Sequence, residues 1–218
     1  MNQTVSTAPT ATLPTGNGLR SDLAVIAEWI APGTRVLDLG CGDGALLAHL
    51  AAARDVRGYG LELDLDNIAA CVDRGVNVIQ RDLDEGLADF DEGSFDYVVM
   101  SQALQVVHAP DRLLREMLRV GRAGIVTFPN FGHWSTRAQL ALGGRMPRTR
   151  TLPSCWYNTQ NIHLCTLRDF EALCAEQQLE ILRRAVTDAA HRSRPGLRLW
   201  PNLRAEIGMY LLRRARRS

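Results

Sequence analysis

Apolar and polar positions along this chain alternate between two rhythms. From residue 22 to 30, Leu23, Ile26, Ala27 and Ile30 recur every three or four places, which predicts a helix with Ser21 as its cap. Pro32-Gly33 ends it, and the short apolar run at 35–39 predicts a strand. The pattern then repeats as helix 44–53, strand 56–62, helix 66–74 closing on Gly75, strand 76–80 and strand 95–101. Helix 110–120 follows, with Leu113, Leu114, Met117 and Leu118 as its buried stripe, and then strand 124–128. Strands that are apolar along their length and separated by helices predict a doubly wound, mostly parallel sheet covered on both faces.

From Pro129 onward the rhythm breaks. Residues 131–166 are crowded with Gly, Pro, Trp, Asn and Arg, and read as an irregular insertion. A connection this long inside a compact domain is usually functional or disordered, and its aromatic content argues against disorder. Thr166 then suits the N-cap of a helix over 167–177, with Phe170 and Leu173 inward. Strands at 179–186 and 206–212 follow, and an antiparallel strand is expected late in the chain. The organisation expected is one domain over 20–212, between a flexible tail at 1–19 and a basic tail at 213–218.

Composition narrows the function. Hydrophobic residues at 46% and charged residues at 22% suit a packed globular protein. No apolar run approaches the ~18 residues that span a bilayer, so no membrane partner is expected. The 25 basic and 24 acidic residues leave a net charge of +1, which argues against a nucleic-acid partner. Every basic residue is Arg, so Schiff-base and P-loop lysine chemistry is excluded. The five cysteines form no C-x-x-C pair, which points to a reducing, cytoplasmic setting rather than a disulfide framework.

The first chemistry lies in Asp38-Leu39-Gly40-Cys41-Gly42-Asp43-Gly44, between a predicted strand and a predicted helix. Glycines allow a sharp turn and close backbone approach to a ligand, and the helix N-terminus beyond favours an anion. Glu62 ends the second strand, where a carboxylate can accept ribose hydroxyls, and Asp82 follows the third, where it can receive an adenine amino group. Ligands of open α/β sheets sit at these carboxyl ends. Gly40-x-Gly42-x-x-Ala45 also fits the dinucleotide fingerprint. Asp38 and the missing second domain favour S-adenosylmethionine (SAM) over a nicotinamide cofactor, because a carboxylate there would sit badly near a pyrophosphate. His108, His133 and His163 are candidate bases near the same side of the sheet, or ligands of loop backbone. Cys41 is either a thiol activated by the helix N-terminus or a small side chain packed under the ligand.

The Asp38–Gly44 run resembles the first motif of class I SAM-dependent methyltransferases. More specific blocks are Ser101-Gln102-Ala103-Leu104-Gln105, Phe128-Pro129-Asn130-Phe131-Gly132-His133-Trp134, Gly143-Gly144-Arg145-Met146-Pro147 and Asn161-Ile162-His163-Leu164-Cys165-Thr166. With these, residues 20 to 186 resemble the bacterial MetW methionine-biosynthesis family. Gln160 and Ser154-Cys155 depart from its pattern. The resemblance implies a Rossmann-like class I SAM-methyltransferase fold. It also implies SAM or S-adenosylhomocysteine (SAH) as ligand, held by Asp38, Gly40, Cys41, Gly42, Glu62, Leu63, Asp82, Leu83 and Ser101, with no metal and no assigned catalytic residue. The partner it implies is a homoserine O-acyltransferase of the MetX type, which this subunit would enable. The alternative is an active methyltransferase on an unidentified small molecule.

Overall fold

The computed structural model describes Leu19, residues 21–188 and residues 199–215. Except for Leu19, the expected N-terminal tail lies outside the described residues, as do the last three residues of the C-terminal one. The first half of the chain runs α1 (Ser21–Trp29), β1 (Arg35–Leu39), α2 (Ala45–Arg54), β2 (Arg57–Glu62), α3 (Leu65–Asp73) and β3 (Asn77–Gln80). A one-turn 3-10 helix (Leu83–Glu85) precedes β4 (Phe95–Ser101), α4 (Pro110–Val120) and β5 (Gly121–Pro129). Then come α5 (Trp134–Gly143), α6 (Leu167–Glu176), β6 (Leu179–Thr187), α7 (Pro201–Arg204) and β7 (Ile207–Arg214).

The strands form one seven-stranded sheet in the order β3-β2-β1-β4-β5-β7-β6. Pairings from β3 through β5 are parallel, and β7 runs antiparallel to both of its neighbours. The late antiparallel strand expected from the sequence is therefore β7. Its Tyr210 ring stacks on Phe128 with centroids 5.9 Å apart, and Phe170 of α6 leans on both at 4.8 Å. The Tyr210 hydroxyl donates to Glu171 at 2.9 Å. Burial, with the Glu171 carboxylate beside it, holds that phenol far above its usual range.

Two-residue alternation divides the core. Leu37 and Leu39 of β1, Val98 and Met100 of β4, and Val126 and Phe128 of β5 face α4 and α6. Val36, Val99 and Ile125 face the other way, onto Ile26 and Ile30 of α1 and Leu46, Leu47 and Leu50 of α2. Continuing this second face toward the carboxyl ends, the next positions are Asp38, Ser101 and Thr127. The apolar layer thus gives way to polar side chains at one end of the sheet.

Two expectations change. The stretch at 131–166 is not wholly irregular, because it holds the ten-residue helix α5. The basic run at the C-terminus begins inside the sheet, since Arg213 and Arg214 belong to β7. Arg213 there grips Glu180 of β6 through contacts of 2.8 and 3.0 Å.

Candidate functional site

The strand order reverses between β1 and β4. From β1 the chain winds outward through β2 and β3, then returns to place β4 on the opposite side of β1. The crevice beyond the carboxyl ends at such a switch point is where open α/β sheets take ligands. A cavity of about 170 Å³ lies there, lined by Asp38, Gly40, Cys41, Gly42, Ser101 and Gln102, with Leu23 and Leu46 closing its apolar side.

The turn that forms one wall is shaped by backbone. Gly40 and Gly42 have φ of 70° and 55°, a region L-residues with side chains seldom adopt. The N–H groups of Gly40 and Cys41 both donate to the carbonyl of Leu61, at 2.8 and 3.0 Å, which pins the turn to β2. Gly42 N–H donates to Glu62 Oε2 at 2.8 Å, and Glu62 Oε1 accepts from Leu63 and Asp64 N–H at 2.9 and 3.0 Å. A Cβ at Gly42 would meet nothing within 4 Å, so the turn opens outward there. At Gly60 a Cβ would lie 2.3 Å from Cys41 Sγ, so β2 must be bare for the turn to seat.

Cys41 proves to be a packing residue. Its thiol is 3.8 Å from Cys71 Sγ, and burial, reinforced by Asp38, drives its pKa far above the normal thiol range. The helix N-terminus does not activate it. Cys165 and Cys174 are likewise pushed up by burial, to about 11 and about 12.

Asp38, Gly40, Cys41, Gly42 and Ser101 from the expected set meet at this cavity. Glu62 is tied to it through Gly42. Leu63, Asp82 and Leu83 do not line it. They stand beyond β2 and β3, with Leu63 57% exposed, Leu83 packed against the core, and Asp82 accepting Asp84 N–H at 2.9 Å. None of the three histidines lines the cavity. His133 caps α5, taking Ser135 through Nδ1 at 2.8 Å, and burial lowers its pKa. His163 Nε2 lies 3.1 Å from the His108 carbonyl, and His108 Nδ1 lies 2.6 Å from Asp84 Oδ2.

Sequence reasoning missed Asp22 and Gln102. Asp22 is fully buried in α1, and its Oδ2 accepts Gln102 Nε2 at 3.3 Å. Gln102 adopts φ of 58°, held by donation from its N–H to the Thr127 carbonyl at 2.9 Å. A strained non-glycine residue at a cleft is a common mark of a working site. A signal for Asp22 existed, since Asp22, Ile26 and Ile30 form one i, i+4 row and an acid on a buried row needs a reason.

The specific motifs interlock beyond the ends of β4 and β5. Asn130, 2% exposed, donates to the carbonyls of Ala205 and Asn202 at 2.7 and 3.1 Å and accepts from Gly132 N–H at 2.9 Å. Phe131 N–H meets the Cys165 carbonyl at 3.0 Å, joining the FPNFGHW and NIHLCT blocks. Gln105, 1% exposed, donates to the Pro129 carbonyl at 3.1 Å and accepts His163 N–H at 3.1 Å. Thr166 and Asp169 close α6 with a reciprocal capping box.

A seven-stranded sheet with one reversed strand, and a Gly-turn cavity at its switch point, defines the class I SAM-methyltransferase fold. A SAM-dependent methyltransferase from Mesorhizobium loti superposes with a TM-score of 0.64 at 20% identity, covering 89% of this chain and 98% of that one. Haemonchus contortus phosphoethanolamine N-methyltransferase 2, solved with SAH, gives 0.64 at 15% identity over 92% of this chain and 53% of that one. The chain belongs to the family of methionine biosynthesis protein MetW, whose model matches residues 20–212. It is 34% identical over 214 residues to the bifunctional methionine biosynthesis protein MetXA/MetW of Rhodopirellula baltica, with 94% of this chain aligned. The chain spans 34% of that relative's length. Among the described residues no helix is long and apolar enough to cross a membrane.

Proposed function

We propose that the switch-point cleft binds SAM or SAH, and that the chain acts as a cytoplasmic subunit enabling a homoserine O-acyltransferase of the MetX type. The donor set suits the ligand. Asp38 is a buried carboxylate at the cleft, matched to the α-ammonium of SAM, and the turn carries no side chain at Gly42, where the ligand can come close to the backbone. Glu62 stands at the end of β2 for the ribose hydroxyls. Asp82, with Leu63 and Leu83, outside the cavity at the ends of β2 and β3, would take the adenine, and Ser101 the methionine end. SAM, when bound, supplies a methyl group on a sulfonium.

The single observation carrying the subunit role is the Rhodopirellula relative, whose name joins MetXA and MetW in one polypeptide. The histidine geometry is consistent with it, since each ring serves a loop or cap rather than the cavity. The test is homoserine acylation by the organism's own acyltransferase, assayed with and without this chain. A clear rise in rate is expected. An unchanged rate, together with turnover of SAM by the chain alone, would replace this reading with the methyltransferase one.

A further inference from the structure

Between the end of α5 and the turn at residues 155–157 lies an open groove of about 480 Å³, lined by Gly144, Arg145, Met146, Arg148, Trp156 and Tyr157. We propose that this groove is the docking face for an acidic surface of the acyltransferase, with Trp156 and Tyr157 as anchors and Arg145 as the charged contact. The proposal rests on the subunit reading above and adds the face and chemistry of the contact.

Exposure is the first observation. Trp156 and Tyr157 are 73% and 72% exposed, and Leu142 at the end of α5 is 89% exposed. Scattered apolar residues on a surface need no explanation, but two large aromatics beside a groove do. Trp, Tyr and Arg are the residue types that dominate interface energetics.

Charge is the second. No Asp or Glu lies between Glu116 and Asp169, although the chain has 24 of them. The same stretch carries Arg137, Arg145, Arg148 and Arg150 beyond β5. Several arginines elsewhere are matched to acids, as in Arg115–Asp111, Arg119–Glu116, Arg184–Glu171 and Arg213–Glu180. Among the described residues neither Arg145 nor Arg150 makes a salt bridge. Guanidinium groups presented without carboxylates on their own surface complement carboxylates on another.

Preorganisation is the third. Arg148 forks its Nε and Nη2 onto the Pro153 carbonyl at 3.1 and 3.0 Å. Its backbone N–H donates to Gln139 Oε1 at 3.1 Å, tying the groove floor to α5. The Trp156 and Tyr157 rings stand edge to face at 5.6 Å. A surface held in place before contact loses little freedom on binding.

The experiment measures the affinity of the full chain for the intact acyltransferase by calorimetry at low and high salt. Trp156→Ala should raise Kd about 30-fold or more, as expected for a hot-spot aromatic. Arg145→Glu should weaken binding mostly at low salt, because screening already reduces the charge contact at high salt. Unchanged SAM affinity of each isolated variant certifies that the fold and cleft survive. If the wild type binds and both variants bind equally well, the docking face is wrong while the subunit reading stands. If the wild type does not bind the acyltransferase at all, the subunit reading falls and the docking face falls with it. If the variants lose affinity only for a single-stranded RNA oligonucleotide, the partner class is wrong.

Discussion

A carboxylate offers about four lone-pair positions, and Glu62 fills three of them with the N–H groups of Gly42, Leu63 and Asp64. The one remaining position would serve a ribose hydroxyl, so one side chain would shape the turn and receive the ligand. Loss of a charge-assisted hydrogen bond costs about 1.5–3 kcal/mol. Glu62→Ala should therefore weaken SAM roughly ten- to hundredfold by calorimetry; unchanged affinity with the fold intact would remove the ribose contact. His108 and Asp84 give a pH prediction. The hydrogen bond from the His108 ring to the Asp84 carboxylate raises the histidine above its ordinary 6.5, and the same bond lowers Asp84 below its ordinary 3.8. The histidine's contribution is complete below about 6.5 and fades as pH rises through the raised value. The aspartate's is present above about 3.8 and fades as pH falls through the lowered one. The link should hold between those two titrations and be weak, since His108 is exposed. In an NMR titration Asp84→Asn should bring the His108 midpoint down toward the ordinary value, and an unmoved midpoint would remove the pairing. At this scale the sequence disclosed Asp38 and the glycines, because short-range pattern governs them. It did not disclose the left-handed Gln102, whose conformation depends on Thr127 in a different strand.

At the level of elements, the fit of β2 against the glycine turn is the tightest joint near the cleft. Gly60→Ala would place a Cβ 2.3 Å from Cys41 Sγ and 2.9 Å from Cys41 Cβ. Overpacking of this kind costs about 1–3 kcal/mol. We predict a lower thermal midpoint and weaker SAM binding together, because the turn must shift toward the cavity. Stability lost with full SAM affinity would mean that the turn does not support the site. Elements with a strong period were legible from residues alone: β1, β4 and α4 have the boundaries that their apolar runs indicate. Helix α5 was not, for a physical reason. Only Thr136 of its ten residues is buried, so it carries no apolar stripe, and its N-cap is a histidine rather than Ser, Thr, Asp or Asn. The short helix α7 was hidden likewise. It exists because the Asn130 side chain holds the Asn202 and Ala205 carbonyls from far along the chain.

Across the whole molecule, the cleft and the groove beside Trp156 are joined by one loop. Gln102 borders the cavity, and three residues on, Gln105 holds Pro129, His163 and Cys165, from which the segment carrying the groove departs. SAM is formed from methionine, and homoserine acylation lies upstream of methionine. We therefore predict that SAM weakens the complex with the acyltransferase, and that the acyltransferase weakens SAM binding by the same factor, about 5–150-fold. Gly42→Asp, whose side chain would project into the open cleft, should leave the complex formed but insensitive to SAM. Acyltransferase activity titrated with the chain at zero and millimolar SAM checks this, and superimposed curves would discard the feedback idea. The sheet itself has a further consequence. Strand β7 follows β6 in the chain but lies between β5 and β6. During synthesis from the N-terminus, β5 must wait with one side unpaired, and β6 has no neighbour until residues 207–214 emerge from the ribosome. A nascent chain paused before that point carries two strand edges, one on β5 and one on β6, that β7 later covers. The growing polypeptide is therefore exposed to self-association, and in need of chaperone cover, just before β7 is made.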